Sequence, residues 1–265
     1  MNLILLKLGG SAITKKAQNK AQINKKLLHN IALELKKSMN KNTKLILIHG
    51  AGPFGHTLVK KYKINNGVKS KKQLIGFCKT RASVQKLNNE IVSELTSCGI
   101  PAVSINSFDV LEQKNKKITK FDLLPIKNTL NSNSVPVLFG DMVKDSKLNF
   151  SVVSGDAIIS FLAKQLKAKK IFFGTDVNGI FTKDPKKYTS TKKVNKINNA
   201  NYRNIFKGLG KASTIDVTGG MKGKVMELKK NLKGVKIIVF DLTKKENLVK
   251  VFNGIKGIGT EIYFK

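Results

Sequence analysis

Short apolar runs that end in glycine bends recur along this chain, and this pairing limits its folds more than any other feature. The run 3–8 ends at Gly9-Gly10, and the run 44–48 ends at His49-Gly50-Ala51-Gly52. Ser154-Gly155 separates a predicted hairpin over 141–153 from a helix over 156–167. The run 169–174 leads into Thr175–Gly179, and Asp216–Lys224 precedes a helix over 220–232. Further strands are expected at 101–105, 135–139, 235–240 and 260–264. Ile23, Leu27, Leu28, Ile31, Leu35 and Met39 recur at helical spacing and predict a helix over 22–38. Val84, Leu87, Ile91, Leu95 and Cys98 predict another over 80–98. Uninterrupted apolar strands alternating with amphipathic helices call for a mostly parallel sheet covered on both faces. The stretches 60–73 and 112–120, the latter around a hairpin tip at Asn115, read as exposed, mobile loops.

Charge is the second constraint. Lys and Arg number 50 against 16 Asp and Glu, a formal net charge of +34. Such a field attracts phosphates and suggests nucleic acid. Yet Arg81 and Arg203 are the only arginines, Trp is absent, and lysines are spread through nearly every segment. Nucleic-acid readers favour Arg for its bidentate contacts, often beside exposed aromatics. The excess therefore reads as lysine on solvated faces, with a field that steers small anions. No apolar run approaches the ~20 residues of a membrane span. The two cysteines, Cys78 and Cys98, make no C-x-x-C pair and no disulfide framework. A reducing, cytoplasmic setting is expected.

The bends have the chemistry of phosphate sites. Glycine lets the backbone approach a ligand closely and aim N–H groups at it. Lys7 stands just before Gly9, Gly10 and Ser11, although an ordinary strand-to-helix turn reads the same way. Gly50, Gly52 and Gly55 match G-x-G-x-x-G, but no acidic residue stands in 68–76, where a dinucleotide site would want one for the ribose. Pro53 and the basic stretch behind it also fit poorly with a long helix starting there. His56 is the notable residue of that loop, because an imidazolium can bind and neutralise phosphate. His29 and His49 read as ordinary satisfied histidines. Asp156, odd beside a phosphate, makes sense as an organiser of lysines. No G-x-x-x-x-G-K-[ST] occurs, and no H-R-D or D-F-G set. Glycine bends with lysines but no P-loop point to a different nucleotide fold.

Together, KLGGS at 7–11, HGAGPFGH at 49–56, SGD at 154–156, TDVNGIFTKDP at 175–185 and DVTGGMKGK at 216–224 resemble the amino acid kinase superfamily. Within it they are most similar to the archaeal-type isopentenyl phosphate kinases. TRASVQKLNNEIVSEL at 80–95 and VPVLFGDMV at 135–143 also look like that family. The resemblance implies one α/β domain over 1–265, a three-layer αβα sandwich with an open, mainly parallel eight-stranded sheet. About 1–153 would bind the phosphate acceptor and about 154–265 would bind ATP. It implies ATP with Mg²⁺, isopentenyl phosphate as acceptor and a homodimer, with no membrane or nucleic-acid partner and no protein ligands to a metal. Lys7, Gly9, Gly10 and Ser11 would line the ATP phosphates, with Gly220, Lys222 and Lys224 along them and Asp176 at the nucleotide. Lys16 would stabilise the transferring phosphoryl group. Ala51 and Gly52 would contact both acceptor and ATP phosphates, Gly55, His56 and Gly155 would meet the acceptor, and Asp156 would organise Lys7 and Lys224. Ile75, Phe77 and Val84 would either pack the core or line the acceptor's tail. Pro53, Asn178 and Asp241 depart from the family's usual residues. A kinase of the same fold acting on another phosphate or phosphonate, of the fosfomycin type, is the alternative, and a basic nucleotide- or nucleic-acid-binding protein a more distant one.

Overall fold

The computed structural model describes residues 2–17, 20–40, 42–183, 185–186, 188–208 and 232–265. Eight strands form one sheet, in the order β14-β16-β15-β11-β1-β4-β8-β5. They are β1 (Asn2–Leu8), β4 (Thr43–His49), β5 (Ala102–Ser104), β8 (Val135–Phe139), β11 (Lys170–Thr175), β14 (Lys196–Ile197), β15 (Lys236–Asp241) and β16 (Thr260–Ile262). Every pairing in it is parallel except β15 with β16.

Strand alternation sorts the core into two layers. Ile4, Leu6 and Leu8 of β1, with Leu45 and Leu47 of β4, face helices α2 (Lys25–Ser38), α4 (Lys71–Ser97) and α9 (Asn247–Phe252). Leu5, Ile46 and Ile48 face the opposite way, toward α6 (Leu124–Asn131) and α7 (Gly155–Gln165). The expected αβα sandwich is therefore present. Asn24 caps α2, accepting from Leu27 N–H, and Ser70 caps α4, accepting from Gln73 N–H.

A second sheet, β10-β9-β6-β7, joins β6 (Leu111–Lys114), β7 (Lys117–Phe121), β9 (Asp141–Asp145) and β10 (Asn149–Val153). The stretch 112–120 is thus mostly strand rather than loop. Asn115 and Lys116 do form the tip, at positive φ. Their N–H groups donate to the Asp145 carboxylate at 2.9 and 2.8 Å. Burial alone would raise the Asp145 pKa, but these bonds, with Ser151 Oγ–H and Lys147 N–H, pull it down to about 2.

The stretch 60–73 is also not a loop throughout. Helix α3 (Gly52–Tyr62) runs into it and α4 begins at Lys71, well before the expected residue 80. Between them Ile64, Gly67 and Val68 are buried. Val68 N–H donates to Leu148 O at 3.1 Å, pinning the link to the β9–β10 turn. Lysines at the surface of a helix masked the apolar positions beneath. Similarly, the start of the expected 22–38 helix is strand: β2 (Thr14–Ala17) and β3 (Lys20–Ile23) form a hairpin before α2. Of the expected 220–232 helix, all but the last residue lies outside the described residues.

Candidate active site

The strand ends place the glycine bends against one another. Gly9 N–H donates to Gly174 O at 2.8 Å, and Gly50 N–H to Leu8 O at 3.0 Å. Short helix α1 (Gly10–Ile13) follows β1 at once. A Cβ on Gly10 would lie 2.5 Å from Gly52 N, so only glycine permits this approach of the two loops. Gly52 itself has φ +51°, in the left-handed region, and opens α3 with Pro53 in its first turn. Pro53 therefore starts a helix, contrary to the sequence expectation, because a helix's first turn has no use for its missing N–H.

Alternation also directs Lys7. It shares the α7 side of the sheet with Leu5, and its Nζ lies 2.5 Å from Asp156 Oδ1. The two side chains are only 12 and 13% exposed. Ser154 caps α7 by accepting from Ala157 N–H at 3.1 Å, which places Asp156 in the first turn. A Cβ on Gly155 would lie 3.3 Å from His49 O and 3.4 Å from Lys7 Cε, so this glycine lets α7 enter the junction. The starts of α3 and α7 thus lie at the ends of β1 and β4, two helix N-termini suited to anions.

The loop after β11 is tied in by another pair. Ser11 Oγ–H donates to Asp176 Oδ1 at 3.1 Å, and Lys186 is paired with Asp176. Burial alone would raise the Asp176 pKa, but Lys186 and Ser11 hold it below the usual carboxylate range. Lys186 was not foreseen; nothing in its spacing from Asp176 marks it as a partner.

Residues 2–241 match the amino acid kinase family. The chain belongs to the amino acid kinase family. It is 39% identical to isopentenyl phosphate kinase of Methanocaldococcus jannaschii, covering 99% of both chains. It is 34% identical to isopentenyl phosphate kinase of Methanothermobacter thermautotrophicus, covering 98% of both. An X-ray structure of isopentenyl phosphate kinase, 32% identical, superposes with a TM-score of 0.85 and covers 98% of this chain and 100% of that one.

In this amino acid kinase, Lys7, Gly9, Gly10, Ser11, Ala51, Gly52, Gly155, Asp156 and Asp176 come together on the loops just described. His56 is exposed in the second turn of α3 rather than in a loop. Gly55 is buried, where a Cβ would meet Ala51 and Val84, so it has a packing role between α3 and α4. Lys16 lies in β2; the described structure ends short of its side chain. Gly220, Lys222 and Lys224 lie outside the described residues, as does any contact of Asp156 with Lys224. Ile75 is exposed and Val84 is in the core. Phe77 stacks on Phe150, centroids 4.1 Å apart, in a small cluster with Val59, Ile64, Val68 and Met142 between α3, α4 and the second sheet. Asp241 closes its own turn by accepting from Thr243 N–H at 2.9 Å and Thr243 Oγ–H at 2.6 Å.

One feature beside these loops escaped the sequence reading, and one satisfied histidine was foreseen. Arg81 Nε–H donates to Asp141 Oδ2 at 3.2 Å, and the guanidinium lies 3.9 Å from the centre of the Phe108 ring. Burial pushes the Asp141 carboxyl up to about 6, against the pull of Met142 N–H and Arg81. The buried His49, 5.3 Å from the Phe139 ring, sits under α4 with Nε2 3.2 Å from Asn88 Oδ1.

Proposed function

We propose that this protein transfers the terminal phosphoryl group of ATP to isopentenyl phosphate, forming isopentenyl diphosphate and ADP. One observation carries the reading: Lys7, held by Asp156, stands where glycine bends and two helix N-termini meet, in a chain whose full length matches isopentenyl phosphate kinases.

The chemistry suits that equipment. A phosphate monoester has its second pKa near about 6, so its attacking oxygen is already ionised at neutral pH and needs no general base. The obstacle is repulsion between two polyanions, and the answer is fixed positive charge and N–H dipoles. Lys7 supplies charge at the end of β1, and Asp156 fixes its direction. Ala51, Gly52 and Gly155 present backbone to the acceptor phosphate, and His56 reaches it from α3. Lys16, Lys222 and Lys224 complete the neutralisation along the transferring group and the nucleotide, with Gly220 beside them. Both nearby carboxylates are engaged by lysines, Asp156 by Lys7 and Asp176 by Lys186. Mg²⁺ accordingly enters as part of the nucleotide substrate, MgATP, held by phosphates and water. The acceptor's apolar tail turns toward Phe77 and its aromatic neighbours. About 1–153 form the acceptor lobe and about 154–265 the ATP lobe of a cytoplasmic homodimer.

The test is ADP release with MgATP and a panel of isopentenyl phosphate, dimethylallyl phosphate and fosfomycin. Saturable turnover with a prenyl phosphate is the expected result. Turnover confined to fosfomycin would transfer the chain to the phosphonate kinases, and no turnover with any of the three would overturn the reading.

A further inference from the structure

His29, Glu94 and Cys98 meet on the outer helical layer. Glu94 and Cys98 are four residues apart, on one face at the end of α4. His29 faces them from the second turn of α2. His29 Nδ1 lies 2.7 Å from Glu94 Oε1 and 3.8 Å from Cys98 Sγ, and Glu94 Oε1 lies 3.6 Å from Cys98 Sγ. Each side chain thus offers one ligand atom to a common point, all within 4.8 Å.

We propose that these three side chains bind a zinc-class transition-metal ion that clasps α2 to α4. Zinc holds N and O ligands at roughly 2.0–2.2 Å and S at roughly 2.3 Å, so tetrahedral ligand atoms stand roughly 3.3–3.6 Å apart. Two of the three separations are already close to that, and the third opens as the metal replaces the hydrogen bond. Imidazole, thiolate and carboxylate together select zinc or cobalt over Mg²⁺ or Ca²⁺, which prefer all-oxygen sets. Cys98 gives up its S–H proton to solvent on binding, His29 coordinates as neutral imidazole through Nδ1, and Glu94 coordinates as carboxylate. The His29 side chain is 55% exposed, which leaves an entry path and a fourth position for water. Burial and the Glu94 carboxylate push the Cys98 thiol pKa up, and Lys36 is the cation that opposes them.

The site is remote from the phosphate loops. Val84 lies beside Gly55, and the fourteen residue-to-residue steps from Val84 to Cys98 span about 21 Å of helix. Bound metal would act on stability and on the α2–α4 contact, not on phosphoryl transfer.

The experiment is titration of the reduced, tag-free full chain with Co²⁺. One equivalent should bind, with a thiolate-to-cobalt charge-transfer band in the near ultraviolet. Cys98→Ser should lose that band and Cys78→Ser should keep it. His29→Gln, an exposed change compatible with folding, should weaken binding at least about tenfold, the scale of losing even an outer-shell partner. Zn²⁺ should displace the cobalt and raise Tm in the wild-type chain but not in His29→Gln. A wild-type chain without the band, a band that survives Cys98→Ser, or equal affinity in His29→Gln would each overturn the proposal.

Discussion

At the scale of single residues, charge placed in low dielectric decides what each group does. Lys7 and Asp156 are each costly to bury alone, and together they give a cation of fixed direction. On the proposed mechanism Lys16 stabilises the transferring phosphoryl group and His56 binds the acceptor. Lys16→Ala should lower kcat by about 10²-fold or more, the size of losing one such donor; a near-normal rate would remove Lys16 from the mechanism. His56→Ala should raise KM for isopentenyl phosphate while leaving KM for ATP unchanged, and equal effects on both would contradict its assignment to the acceptor. His49 affects stability rather than chemistry. Burial lowers its pKa from 6.5 to about 4, so the folded state binds fewer protons than the unfolded state between those values. Its contribution is complete above pH 6.5 and is lost as pH falls toward 4, a difference of about 3 kcal/mol. Denaturant unfolding at pH 7 and pH 4.5 should show that loss, and His49→Gln should flatten it. The reading of His29 as an ordinary satisfied histidine was correct as far as its hydrogen bond to Glu94. Cys98 beside it is a tertiary fact, since 69 residues separate the two in the chain.

Among elements, the governing quantity is how closely backbones approach. Glycines at 9, 10, 50, 52 and 155 were visible as bends, and their positions after apolar runs correctly marked the strand ends. Which bend touches which was not visible, because parallel strands adjacent in space can be distant in sequence. Gly10→Ala would put a methyl 2.5 Å from Gly52 N, an atom of the main chain that cannot swing aside. The two loops must separate, and displacements near 1 Å at such sites cost about 10²-fold in rate. Turnover should fall by that order while circular dichroism stays native; unimpaired turnover would show that the spacing of these loops is not critical. Helix starts were misplaced for a separate reason. Lysine-rich turns of α3 and α4 hide the apolar positions Val59 and Phe77, and Pro53 looked like a breaker when it was a first-turn residue.

For the whole molecule, a lysine-rich exterior surrounds a core with two ordinary apolar layers, so the charge reads as surface composition. No helix among the described residues is long and apolar enough to cross a membrane. If the loops seat MgATP, ligand binding must stabilise the fold, by about 2.7 kcal/mol at a hundredfold excess over Kd. For a chain of this size that corresponds to a Tm rise of roughly 5–10 °C. Differential scanning fluorimetry with and without MgATP measures it, and an unchanged Tm would count against a nucleotide site on these loops. By itself the sequence determined the strands of the main sheet other than β14, the glycine bends that follow them and the family, because apolar periodicity and local motifs are carried by neighbouring residues. The family resemblance anticipated Lys7 with Asp156, but the tertiary structure alone decided the other partners: Ser11 and Lys186 with Asp176, Arg81 with Asp141, and His29 with Glu94 and Cys98. Those pairings depend on strand order and helix packing, which bring together side chains that no local pattern links.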